Sequence, residues 1–130
     1  MKQVLLAVGV ALLAACTTPV TQTEISKAVY PARPSDEAAD KHIRSYLAGV
    51  LKDPDSLRLE CRETRKGWAR QHRDRPADFG WVKPCSVNAK NSYGGYVGAQ
   101  PYVFLFTVDG MKALDGRYFR EFEEHVGFIE

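Results

Sequence analysis

An uncharged run opens this chain and limits what the rest can build. Residues 4–15 are twelve positions of mostly Leu, Val and Ala, behind the single positive side chain of Lys2. A helix of twelve residues rises only about 18 Å, against a hydrocarbon core of about 30 Å. The run has the dimensions of a signal-peptide core and not of a stable membrane span. Of 130 residues, what remains is enough for one modest domain, folding in a compartment where disulfides persist.

The run ends in Leu13-Ala14-Ala15-Cys16. This resembles the lipobox of bacterial lipoproteins, where Leu, two small residues and an obligatory Cys mark the cleavage point. The resemblance implies a diacylglyceryl group on the Cys16 sulfur, removal of residues 1–15 and a lipidated Cys16 at the new amino end. The alternative is an ordinary secretory signal with a chance cysteine. It wants small residues third and first before the cut, and Leu13 in third place fits poorly. Two or three acyl chains anchor stably, where a single chain gives only marginal binding. Thr17 stands where an Asp would be the usual inner-membrane retention signal of Gram-negative lipoproteins. The resemblance therefore implies an outer-membrane anchor with the domain facing the periplasm.

Residues 17–35 are polar, rich in Thr, and end near Pro31 and Pro34. They lack a helical or alternating apolar period, so with Cys16 they read as a flexible tether over residues 16–35. Nineteen such residues reach roughly 24 Å on average. The single globular domain is then residues 36–130, which hold 13 of the 14 aromatics. A domain that small buries a modest fraction of its surface and needs aromatic-heavy packing or a staple.

The spacing predicts an amphipathic helix over residues 36–52, with Ala39, Ile43, Tyr46, Leu47, Val50 and Leu51 on one face. Ser35 or Asp36 can cap it, and Asp53-Pro54 stops it. Leu57-Arg58-Leu59-Glu60-Cys61-Arg62 alternates strictly and predicts a half-buried strand. Residues 81–89 alternate less cleanly, because Lys83 interrupts a face of Trp81, Cys85, Val87 and Ala89. Residues 102–108 are apolar on both faces and predict a central strand, followed by a turn at Asp109-Gly110. In residues 115–126, Tyr118, Phe119, Phe122 and Val126 fall at helical spacing with Asp115 as a cap, while strand stays open there. The expected fold is α+β: an N-terminal amphipathic helix on a small antiparallel sheet of three to four strands, with a short C-terminal helix.

Cys61 and Cys85 each fall on the apolar face of a predicted strand. With Cys16 assigned to lipid, two of the three cysteines remain, an even number that suits a bridge. Closing that loop contributes roughly 3–3.5 kcal/mol on a chain-entropy estimate. Two free buried thiols are the alternative. Two cysteines without a nearby histidine pair make a weak zinc case, so no metal or cofactor is expected.

Net charge is +2, with 18 Lys and Arg against 16 Asp and Glu. Without Lys2 the count is 17 against 16, which excludes a bulk electrostatic binder of nucleic acid. The balance hides an asymmetry. Residues 62–75 carry six basic and two acidic side chains, and residues 115–130 carry five acids against two arginines. One reading of the basic stretch is an anion-facing hairpin with Arg65, Lys66, Arg70 and Arg73 around an interfacial Trp68. Its target would be an anionic lipid surface or an acidic envelope partner. The other is a solvated hairpin guarding a strand edge. Asn88-Ala89-Lys90-Asn91-Ser92-Tyr93-Gly94-Gly95-Tyr96 offers a second candidate. Gly94 and Gly95 permit a backbone nest for an anion, and Asn88, Asn91, Tyr93 and Tyr96 can contribute contacts. A plain turn with both tyrosines covering the core edge is the alternative. No phosphate-loop motif is present.

Lys52-Asp53-Pro54-Asp55-Ser56 followed by Asn88-Ala89-Lys90-Asn91-Ser92-Tyr93-Gly94-Gly95-Tyr96 resembles a group of small exported bacterial proteins that share a KDPxS element and a later NAKNxxGGY. The resemblance implies relatedness and carries over no activity and no catalytic residue. HExxH and GxSxG are missing, and His42, His72 and His125 are scattered. The sequence therefore predicts no enzyme. It predicts a lipid-anchored envelope lipoprotein acting as an interaction or structural module. The alternative is an inhibitor or anionic-ligand binder using the glycine-rich loop and the basic hairpin.

Overall fold

The computed structural model describes residues 17–130. The signal core, the lipobox and Cys16 lie outside the described residues. Two helices come first, α1 (Gln22–Lys27) and α2 (Asp36–Val50). Five strands follow: β1 (Arg58–Cys61), β2 (Arg65–Ala69), β3 (Asp78–Asn88), β4 (Gln100–Thr107) and β5 (Gly110–Asp115). The short helix α3 (Phe122–His125) and strand β6 (Val126–Phe128) complete the order. The class is α+β, and the sheet is antiparallel and six-stranded, larger than expected.

The strand order is β5-β4-β3-β2-β6, and β1 also pairs with β3. The eleven residues of β3 hold β4 along one edge and β2, then β1, along the other. Pro84 falls in the gap between those two partners. Its carbonyl accepts from Arg62 N–H at 2.8 Å on that side, so the missing proline donor also faces the gap and costs the ladder nothing.

α2 matches the centre of its predicted stripe, while Tyr46 and Val50, expected on it, stay exposed and Leu51 lies just past the helix end. Ala39, Ile43 and Leu47 are fully buried against Cys85, Val87, Phe104 and Phe106. Burying Ile43 and Leu47 is worth about 1.5–3 kcal/mol each. Ser35 Oγ accepts from Ala38 N–H at 3.1 Å and caps the helix. Lys83, which interrupts the strand pattern, is buried on the same face. Its ammonium lies 3.2 Å from Thr64 Oγ1 and 3.4 Å from Asp36 Oδ1. It thus pins the start of α2 to the sheet.

The opposite face has its own core of Ala69, Val82, Val103, Leu105, Leu114 and Val126, with Phe119 packed on it. Four consecutive residues of β4, Val103 to Phe106, are buried because the strand faces both cores. The sheet curls over this second core. Flat, β2 and β5 would stand about 14 Å apart, three spacings of about 4.8 Å. Yet the Gln71 amide, just past β2, donates to Asp115 O at 3.1 Å and accepts from Asp115 N–H at 2.9 Å. Two glycines allow the curl. Gly67 and Gly80 face each other across β2 and β3. A Cβ on Gly80 would meet the Phe106 carbonyl, and one on Gly67 the Gly127 carbonyl.

Two expectations are refined or corrected here. The first, a short C-terminal helix, is met by α3 but not over all of residues 115–126. Asp115 does cap a turn, accepting from Arg117 N–H at 3.1 Å, but the turn is a three-residue 3-10 piece. Only four residues of α3 follow. Val126 then pairs with Ala69 as β6, so strand pairing takes the residues that helical spacing had claimed. The second is the flexible tether. Residues 21–27 form a capped helix, with Thr21 Oγ1 accepting from Glu24 N–H at 3.2 Å and Glu24 Oε2 accepting from Thr21 N–H at 2.8 Å. Those bonds hold the Glu24 carboxyl below its ordinary pKa. Farther along, Trp81 Nε1 donates to Pro31 O at 2.9 Å, and the Tyr30 ring meets Phe79 edge-on at 6.4 Å. The segment buries little apolar surface of its own. Caps and docking to the sheet order it instead.

Candidate functional site

The two motifs that lie far apart in the chain meet at Ser56. Its hydroxyl donates to Asp53 O at 2.7 Å and accepts from Lys90 N–H at 2.8 Å. Its carbonyl accepts from the Tyr96 hydroxyl at 2.9 Å. The Arg58 guanidinium lies over the Tyr96 ring at 3.8 Å. Lys52-Asp53-Pro54-Asp55-Ser56 is therefore the docking partner of the glycine-rich loop. Ser56→Ala should leave the Lys90 amide unpaired and cost about 1–3 kcal/mol, read by urea unfolding. A cost within 0.5 kcal/mol, on the order of a neutral surface change, would contradict this role.

The glycine-rich loop is not an open nest, which corrects that expectation. Asn91 Oδ1 accepts from Tyr93 N–H at 2.9 Å and from Gly95 N–H at 3.2 Å. Asn91 O accepts from Gly94 N–H at 3.1 Å. Three amides that would have to face an anion are spent on one asparagine. Gly94 supplies the positive φ of 80° that the turn needs. Tyr93 stands at its tip, 97% exposed, and covers no core edge. Asn88 ends β3, with its Oδ1 buried and without a hydrogen-bond partner.

The basic stretch does form a hairpin, β2 with β3, but β6 pairs on the other side of β2, so β2 is an interior strand and not an exposed arm. Arg65, Lys66, Arg70 and Arg73 find partners within the chain. Arg70 is 4% exposed and donates to Glu124 O at 2.9 Å, Thr18 O at 2.5 Å and Arg75 O at 3.1 Å. Burial pulls its pKa below the ordinary arginine value, while Glu124, Glu24 and Asp74 push it back up. Arg73 pairs with Glu124 at 3.5 Å and Lys66 with Glu130 at 3.7 Å. Arg65 donates to Glu130 O at 2.8 Å and lies over Phe128 at 4.3 Å. Trp68 packs on Gly127, where a Cβ would strike the indole. The opposite charges of residues 62–75 and 115–130 thus meet through the β2–β6 pairing.

Cys61 and Cys85 are bridged, as expected, with Cα atoms 4.0 Å apart at directly opposed positions of β1 and β3. The bridge reaches the wall of a cleft of about 910 Å³. Phe119 packs on the second core from the C-terminal turn, and the cleft lies between that turn and β3 and β4. Pro84, Ser86, Pro101, Val103, Phe119 and Phe122 line it, with Glu60, Arg62 and Glu123 also at the surface. Sequence reasoning missed this site, because its residues alternate with core residues on four separated segments. Near its end, Arg117 holds the Asp115 carboxyl below the usual carboxylate range by a direct hydrogen bond, and burial raises the Tyr102 hydroxyl.

The histidines do not converge. His42 is exposed on α2 and His72 on the β2–β3 connection. His125 is buried, stacked on Phe119 at 4.3 Å with Nδ1 3.2 Å from Arg70 O. Among the described residues no group of three or more His, Cys, Asp and Glu side chains is placed to hold a metal ion. No known family model matches the chain, and no curated protein and no solved structure matches it.

Proposed function

We propose that the protein is a lipid-anchored lipoprotein of the bacterial envelope. In this reading it acts as a non-catalytic module that docks an extended apolar segment of an envelope partner. The observation that carries the reading is the cleft between the C-terminal turn and β3 and β4. Its floor of Pro84, Pro101, Val103 and Phe122 is apolar, and its rim carries Glu60 and Glu123 beside Arg62. Among the described residues β1 pairs with β3 alone, and its Glu60 and Cys61, with the following Arg62, line the cleft. An extended peptide can bond to a strand paired on one side and lay alternate side chains on apolar residues. The lipobox supplies the anchor, and the KDPDS and NAKNSYGGY elements supply kinship with small exported bacterial proteins. The inhibitor or anionic-ligand alternative has less support, because the loop amides and the basic side chains it needs are engaged internally.

A photo-crosslinking amino acid at Ser86 or Pro101 tests the docking in intact cells. The expected result is a discrete crosslinked species from both cleft positions and none from Ser45 on the exposed side of α2. The same product from all three positions, or none from the cleft, would contradict it.

A further inference from the structure

Residues 17 and 18 are fixed to the domain at the first point where the chain is described. Thr18 N–H donates to Arg73 O at 3.1 Å, and Thr18 O accepts from buried Arg70 at 2.5 Å. Thr17 Oγ1 lies 3.3 Å from Glu124 Oε1, the oxygen that also pairs with Arg73 at 3.5 Å. These contacts hold the chain at one place, between the connection after β2 and helix α3. Both pieces are in turn locked to the sheet, since Arg70 N–H donates to His125 O at 2.9 Å.

A flexible tether of nineteen residues would let a domain tumble over roughly 24 Å. A single peptide bond joins residue 16 to Thr17, about 3.8 Å from Cα to Cα. We infer that the acyl chains on Cys16 clamp the domain against the bilayer in one orientation, with the loop around Asp74 and the turn around Glu123 on the lipid headgroups and α2 facing away. The inference rests on the lipoprotein reading of Cys16.

The chemistry of that surface suits the arrangement. Asp74, Arg75, Arg120 and Glu123 are exposed there, so opposite charges nearly cancel and headgroup attraction is not what orients the domain. Tyr118, beside Asp74 and Arg120, is 73% exposed, and aromatic side chains favour the depth of the headgroups. α2 covers the other face of the sheet, so its outer residues point into the periplasmic space. The open cleft, lined by Phe122 and Glu123, then opens beside the membrane and favours a membrane-proximal partner segment.

The test uses the full lipidated chain in phosphatidylcholine vesicles that carry a headgroup nitroxide quencher. A fluorophore is attached to one added cysteine, at Asp74, Glu123 or Ser45, while the native pair stays in its disulfide. Quenching should be several-fold stronger at Asp74 and Glu123 than at Ser45. Inserting about ten Gly and Ser residues between Cys16 and Thr17 adds roughly 17 Å of slack and should bring the three positions level. Equal quenching in the uninserted chain, with acyl chains found on the Cys16 peptide of the same sample, overturns the clamp and leaves the anchor standing. An unchanged difference after the insertion also overturns it, because some other contact would then set the orientation. A Cys16 peptide without acyl chains overturns the anchor and the clamp together.

Discussion

Opening the Cys61–Cys85 bridge should be among the most damaging single changes to this fold. The two residues are 24 apart in sequence, and closing a loop of that size contributes about 3.5 kcal/mol through the unfolded chain. For a domain of this length the loss amounts to a fall in Tm on the order of 10–20 °C. Reduction of the intact protein and the Cys61→Ala, Cys85→Ala double variant separate the contributions. Reduction removes only the link, whereas the double variant also removes volume beside Val87 in a core where Cys85 is 7% exposed. The double variant should therefore be the less stable of the two. Calorimetry in the presence and absence of reductant checks the first figure. A fall below 1 kcal/mol, far under the estimate of about 3.5 kcal/mol, would mean that β1 and β3 constrain each other without the bridge.

Arg70→Gln should rival that loss. The guanidinium satisfies carbonyls of Glu124, Thr18 and Arg75 at once. A shorter amide cannot span them, and buried acceptors left unpaired cost about 1–3 kcal/mol each when water cannot reach them. The three acceptors are neutral carbonyls and Thr18 and Arg75 lie at the surface, so we expect Arg70→Gln to cost about 2–4 kcal/mol. Arg65, Lys66 and Arg73 behave differently. Their partners Glu130 and Glu124 are reached at or near the surface, so glutamine at each should cost no more than about 1 kcal/mol. Urea unfolding of the four single variants checks the split. Four equal small losses would contradict the anchoring role of Arg70. Hydrogen exchange adds a local readout, since Arg70→Gln should also expose the Thr18 amide.

Much of the fold was legible where one residue pattern served one face. The two-faced β4 and the Asp109-Gly110 turn read directly, as did Ala39, Ile43 and Leu47 of the α2 stripe and Leu57 and Leu59 of the β1 alternation, though Tyr46, Val50 and Cys61 are exposed. Strand β2 did not. Its inward positions are Gly67 and Ala69, small because neighbouring backbone passes close by, so its hydropathy carries no alternation and its charges read as a loop. A signal was nonetheless present. The opposite net charges of residues 62–75 and 115–130 mark two segments that pair, as β2 and β6 do. The supposed tether also carried a mark, the Thr21-Gln22-Thr23-Glu24 capping box. Lack of apolar period predicted that this segment cannot fold alone, which is a different property from being undocked. The cleft left no local signature at all. Its lining comes from β1, β3, β4 and the C-terminal turn together, a property of topology rather than of any segment.

The mass of the amino-terminal peptide of the mature protein, isolated from the envelope fraction, tests the central claim most directly. The lipoprotein reading of Leu13-Ala14-Ala15-Cys16 predicts a peptide that begins at Cys16 and carries a diacylglyceryl group on sulfur. It also predicts that Cys16→Ser yields unprocessed precursor without lipid. A wild-type peptide with an unmodified Cys16, together with normal cleavage of the serine variant, would contradict the account.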